Sequence, residues 1–305
     1  MLPFSNMAKM ENYMSSEQPV GVFDSGVGGL SVLLELQREM PYENYLYLGD
    51  TGRNPYGPKS IREVRRYTLE AATFLAETGA KAMVIACNTA AIAALDATKK
   101  AFPHMLVIGV VEPGCIAAAQ ATNNEHIALV ATEGTVVSNV HATRINELRP
   151  GTRVTSIAAP IFVSLAEEGW QNGKVPDATA ERYLEDLFNS QEKIRPDCLL
   201  LGCTHFPLLR ESIQKTIGDT VVIVDPAQST AQQTRIELDK RNLLRNGSTS
   251  GTINFYVTAA QERFSKVGSS FMKMEISPTK VHLGCRKIKH KNNKPSKMTA
   301  HLNMW

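Results

Sequence analysis

Seven short apolar runs recur along the chain, separated for the most part by stretches of helical character. They are VGVF (20–23), YLYL (45–48), AMVIA (82–86), LVIGVV (106–111), IALVA (127–131), CLLLG (198–202) and VVIV (221–224). Each is apolar nearly throughout rather than at alternate positions. Cover on both faces is therefore required, as for strands of a parallel sheet. Helices are expected over 60–78, 89–101, 135–147, 178–190 and 206–217. Another follows Gly29, with Leu33, Leu36 and Met40 at helical spacing and Pro41 to end it. A late run, INFYV (253–257), reads as an edge strand. The alternation predicts an α/β fold of doubly wound parallel sheets, with ligands beyond the carboxyl ends of the strands.

Those carboxyl ends hold the unusual residues. The run ending at Ala86 leads into Cys87, Asn88 and Thr89; the run ending at Gly202 leads into Cys203, Thr204 and His205. No tandem repeat of 20–50 residues is evident, so the likeness of these two segments points instead to two related halves. A chain of 305 residues is long enough for two domains.

Two further strand ends carry turn chemistry. After VGVF come Asp24 and Ser25, then glycines at 26, 28 and 29, before a helix. Glycines there let backbone N–H groups approach an anion at a helix N-terminus. The spacing matches neither G-x-G-x-x-G nor the phosphate loop. Asp24 would repel a phosphate, whereas an amino acid suits the turn: Asp24 toward an ammonium, amides toward a carboxylate. The plainer reading is a tight turn with a helix cap. After YLYLGD comes a stiff NPYGP turn, which either presents Tyr56 and the Gly57 amide to a ligand or is a surface turn.

The paired thiols admit three explanations. Zinc wants four ligands at recognisable spacings, and C-x-H without C-x-x-C does not supply them. A redox pair usually has its cysteines close in sequence, and these are far apart. The third is a pair of acid–base groups on opposite faces of one small substrate, one thiol removing a carbon-bound proton while the other delivers one. Each thiol is expected just before a helix N-terminus, where the dipole lowers its pKa. Cys115, Cys198 and Cys285 read as small buried hydrophobes.

Five cysteines, an odd and irregular set in a chain without an export signal, argue for reduced cytoplasmic thiols. No apolar run is long enough to span a membrane. The net charge of +3 is uneven: Arg286 to Lys297 holds six Lys or Arg and no acid, leaving a mildly acidic body. The tail (284–305) reads as a disordered end, with contact to nucleic acid as the secondary reading. Residues 1–16 read as a disordered extension.

The segments GVFDSGVGGLSVL, YLGDTGRNPYGPKS, VIACNTAAIAAL, GVVEPG and LGCTHFPLL, in this order, resemble the signature segments of the glutamate racemases, within the aspartate/glutamate racemase family. The likeness runs from about Val20 to His282. It implies cofactor-independent and metal-free interconversion of L- and D-glutamate, supplying D-glutamate for peptidoglycan. It also implies two α/β domains related by pseudo-symmetry, an active site in the cleft between them, and a homodimer. The first domain would span 17–112 plus 226–283, and the second 113–225. Carried over, Cys87 takes the α-proton of D-glutamate and Cys203 that of L-glutamate. Asp24 supports the first thiol and His205 the second, with Glu167 near the second cysteine. Substrate-binding groups would be Asp24, Ser25, Tyr56, Gly57, Asn88, Thr89, Thr204 and His205. Some members inhibit DNA gyrase, which the basic tail leaves as a minor possibility. The competing chemistries are an aspartate or hydantoin racemase and a one-cysteine decarboxylase. Asn54 departs from the family, where cysteine is frequent, and is expected to alter loop packing more than chemistry.

Overall fold

The computed structural model describes residues 14–189 and 195–284. Strands β1 (Val20–Asp24), β2 (Tyr45–Gly49), β3 (Ala82–Ile85) and β4 (Leu106–Gly109) are buried along their whole length, as their unbroken apolar character requires. With β9 (Ile253–Val257) and β10 (Thr279–Lys280) they form one sheet in the order β10-β9-β2-β1-β3-β4. A second sheet contains β5 (His126–Ala131), β6 (Arg153–Ala158), β7 (Cys198–Gly202) and β8 (Val222–Val224), in the order β6-β5-β7-β8. Every pairing is parallel.

Counted from its own first strand, the second sheet repeats the arrangement β2-β1-β3-β4 of the first. In that arrangement the winding reverses between the first and third strands, which opens a crevice at their carboxyl ends. Cys87 follows β3 and Cys203 follows β7, so both thiols occupy the same topological place. One hydrophobic cluster spans both sheets, with Phe23, Leu48 and Ile85 joined to Ile127, Leu129 and Leu200. At the amino ends of the strands, Lys81 and Glu43 form a fully buried ion pair, and Glu43 also accepts from the Arg245 amide. That contact ties the returning segment to the first sheet.

Several expectations are corrected. INFYV is no edge strand, because β9 pairs with β2 on one side and the two-residue β10 on the other. The run at 106–111 stops at Gly109, since Val110 and Val111 open the helix Val111–Ala121. The helix expected over 135–147 is two, Glu133–Ser138 and Val140–Leu148, broken at Asn139 in the left-handed region (φ 55°). That over 206–217 opens as a 3-10 turn, Phe206–Leu209, before Arg210–Ile217. The helix expected over 178–190 starts earlier, at Lys174, and ends at Phe188. β6 and the helices Pro160–Glu168, Pro226–Lys240 and Gln261–Met272 are additional. The helix Ile61–Glu77 begins at a capping box, Ser60 with Glu63, which the sequence spells out. The basic tail, Cys285 and residues 1–13 lie outside the described residues; within them no helix is long and apolar enough to cross a membrane.

Candidate active site

The turn after β1 is built for close approach. Asp24 is fully buried and its Oδ2 accepts from the Gly26 amide at 2.8 Å, while Tyr47 Oη donates to the Gly26 carbonyl at 2.8 Å. A β-carbon at Gly28 would lie 2.7 Å from Thr204 Oγ1, and one at Gly26 would collide with Glu167 Oε1. These glycines therefore let the second half of the chain pack against the first. Two of the turn's amides already have partners within the protein: Gly26 N–H is held by Asp24, and Val27 N–H donates to Glu167 Oε1 at 3.4 Å. Nor does Asp24 cap the helix, whose N-cap is Gly29. Its Oδ1 instead accepts from Thr204 Oγ1 across the cleft, at 3.0 Å.

Cys87 caps the helix Asn88–Ala101. Contrary to the expected lowering, burial followed by the charge of Asp24 pushes its thiol up to about 12, against the Ala90 amide and Ser25 hydroxyl that favour the thiolate. The magnitudes explain the reversal. A helix terminus is worth about 0.3–1 kcal/mol, under one pKa unit, whereas full burial shifts a group by up to roughly 3–5 units. Burial, partly offset by His205 and the Gly26 amide, also raises Asp24.

Cys203 has a different neighbourhood. Its Sγ lies 3.7 Å from His205 Nδ1, and His205 Nε2 lies 2.7 Å from Glu167 Oε1. A proton on Nε2 donates to the carboxylate, which leaves Nδ1 to accept the Cys203 proton and, once it has done so, to donate back to the thiolate. Burial alone would lower His205, but Cys203 and Glu167 outweigh it and hold the imidazole well above its usual range. Burial would raise Glu167, yet its hydrogen bond to His205 keeps it low. The helix expected directly after this thiol starts only at Arg210, beyond the 3-10 turn.

Both thiols are 7% exposed and line one cavity of about 200 Å³. Ser25, Tyr56, Gly57, Asn88, Thr89, Thr204 and His205 line it too; Asp24 stands behind the wall, and Glu167 lines an adjoining cavity of about 280 Å³. The NPYGP loop is thus at the cleft and not merely a surface turn. Tyr56 is buried, donates to Asp50 Oδ2, and stands beside Gly57, where a β-carbon would meet Thr132 of the second half at 2.9 Å.

Residues the sequence reading passed over complete the wall. Thr132, at the end of β5, lies 3.1 Å from Thr89 (Oγ1 to Oγ1), and Thr135 joins them. His141 is buried and lies 3.2 Å from Asn88 Oδ1, an acceptor for its Nε2–H, which leaves the Asn88 amide hydrogens for the cavity. Burial pulls His141 down to about 4, so it stays neutral. The signal for Thr132 was available: it follows the first strand of its sheet as Ser25 follows β1.

A family model described as Asp/Glu/Hydantoin racemase matches residues 44–234. The chain belongs to this family. It is similar to the glutamate racemase of Geobacter metallireducens, 42% identical over 83% of this chain and 92% of that one. Among solved structures it is similar to a glutamate racemase of Bacillus anthracis (TM-score 0.82, 35% identity, 88% of this chain and 98% of that one). Another is that of Francisella tularensis in complex with D-glutamate (TM-score 0.79, 34% identity, 88% and 98%). The cleft carries one thiol from each half, on a chamber below the roughly 300–1,000 Å³ of sites for drug-sized ligands.

Proposed function

We propose that the protein interconverts L- and D-glutamate without a cofactor, by proton transfer between two thiols. The observation that carries this reading is the pair of cysteines on one small cavity, each with its own partners. In the L-to-D direction Cys203, its proton accepted by His205, removes the α-proton. Cys87 then delivers its thiol proton to the opposite face of the planar carbanion. In the reverse direction the roles exchange. Asn88, Thr89, Thr204, Ser25 and the Gly57 amide supply donors for two carboxylates, and Asp24 supports the charge balance around Cys87.

The α-carbon is a very weak acid, and no electron sink such as pyridoxal phosphate enters this scheme. Stabilisation must come from oriented donors in an enclosed chamber. Burial acts in two senses here. It suppresses the free thiolate of Cys87, and it makes that thiolate, once formed, a stronger base.

On this reading the catalytic domains span 17–112 plus 226–283 and 113–225, the protein is a cytoplasmic homodimer, and its product is D-glutamate for peptidoglycan. The direct test is incubation of L-glutamate with purified protein and no added cofactor, with optical activity followed to zero. Absence of D-glutamate would refute the assignment, and turnover of aspartate or a hydantoin in its place would change the substrate.

A further inference from the structure

We propose that Asn54, on the loop of the first half, is a positioning residue for the Cys203 half, holding Glu167 against His205 across the cleft. The proposal rests on the two-thiol reading above and adds to it a residue that the sequence suggested only for packing.

The loop around Asn54 is anchored on both sides. Arg53 Nε donates to Asp50 Oδ2 at 2.7 Å and its guanidinium lies 4.1 Å over the Tyr67 ring, while Tyr56 donates to the same Asp50. Thr258 Oγ1 donates to Asp50 Oδ1 at 2.8 Å and fixes the carboxylate from a third side. From this support Asn54 Nδ2 donates to Glu167 Oε1 at 3.1 Å. The same oxygen accepts from His205 Nε2 at 2.7 Å and from the Val27 amide at 3.4 Å. Two of its three donors therefore come from the opposite half.

Glu167 needs them. It lies in the last turn of the helix Pro160–Glu168, where the backbone dipole disfavours a negative charge. Each donor that stabilises the carboxylate also restrains it in the rotamer that meets His205. Asn54 contributes its donor at a cost, because its Oδ1 is buried without a partner. A residue kept for packing alone would be better replaced by leucine, which leaves no orphaned acceptor. The pairing of a used donor with an unused acceptor points to the donor as the reason for an amide here.

The test separates the two thiols. Cys87→Ser retains Cys203 and should exchange the α-hydrogen of L-glutamate with deuterated water; Cys203→Ser should exchange that of D-glutamate. Asn54→Leu in the first background should slow exchange about tenfold or more, as expected for a lost hydrogen bond to a charged group. In the second background exchange should change little. Asn54→Gln should recover part of the loss. Equal slowing in both backgrounds would mean a general loop defect, and no slowing, or no advantage of Gln over Leu, would also overturn the assignment. A second readout does not require activity: with the Asn54 donor gone, Glu167 attracts the His205 proton more strongly. The His205 imidazole, followed by NMR, should then titrate at higher pH in Asn54→Leu. An unchanged titration would reject the role even if neither serine variant exchanged glutamate, the outcome that would reject the racemase reading itself.

Discussion

The two halves place a cysteine after the third strand of the same strand order, and they surround it differently. Cys87 sits at the N-terminus of a long helix, beside Ser25 and Asp24, with a thiol pushed up to about 12. Cys203 precedes a 3-10 turn and is backed by His205 and Glu167. The repeated winding explains where the thiols are, and the unrepeated loops decide what each is given to work with. The halves also complete one another. Thr204 donates to Asp24, His141 holds Asn88, Thr132 meets Thr89, and Val27 and Asn54 hold Glu167. Neither proton-transfer group is finished without the opposite side of the cleft.

Enantiomers have equal free energy in water, so kcat/KM is equal in the two directions for every variant. Only half-reactions, read by exchange of the α-hydrogen, tell the halves apart. The largest effect is expected from Cys87→Ser or Cys203→Ser, each lowering racemisation by roughly 10²–10⁴-fold, the usual worth of a general acid or base. The surviving thiol should still exchange one enantiomer: L for Cys87→Ser, D for Cys203→Ser. Exchange of the other enantiomer would reverse the assignment of the halves.

Next comes His205→Asn, which removes the proton acceptor behind one thiol only. L-glutamate exchange should fall by roughly 10–100-fold, in line with about 1.5–3 kcal/mol for a hydrogen bond to a charged group. D-glutamate exchange should fall much less. Equal losses would show that the relay serves the whole cavity. Asp24→Asn should then lower turnover about tenfold, mainly through D-glutamate exchange, with little change in melting temperature. Full activity would leave Asp24 as a turn residue alone.

The smallest effect is on stability. Glu167 is held below its ordinary 4.5 and His205 well above its ordinary 6.5. The depressed acid contributes stability above pH about 4.5 that is lost as pH falls through its folded pKa. The raised imidazole contributes stability below about 6.5 that is lost as pH rises through its folded pKa. The melting-temperature advantage of the native chain over Glu167→Gln should therefore be widest between about pH 4.5 and 6.5, and shrink on both sides. A difference that stayed the same from well below pH 4.5 to well above pH 6.5 would mean that the pair is not ionised.

Much of this was legible because burial on both faces leaves an unbroken apolar signature. β1, β3, β5 and β7, the strands that carry the site, all show it. β6 escaped because Arg153, Thr155 and Ser156 break the run on a half-covered strand. The helix Pro226–Lys240 is rich in Gln and Thr and lacks a clear apolar stripe, although Asp225 and Pro226 mark its start. At the site, the resemblance to known racemases supplied residue roles that spacing alone left open. The pKa of Cys87 was misjudged because a helix terminus can be read from sequence, whereas the depth of burial around it cannot. The partnerships of Asn54 with Glu167 and of His141 with Asn88 join residues distant in the chain, and only the packed halves create them.

The central claim is that one thiol removes a proton and a different thiol supplies another. L-glutamate in deuterated water, sampled at early times, tests it most directly. Two thiols predict D-glutamate carrying deuterium at Cα beside residual L-glutamate that carries almost none. Starting from D-glutamate, the labelled isomer should be L. D product that retains the original protium would mean that a single base returns the proton it took, and would contradict the account.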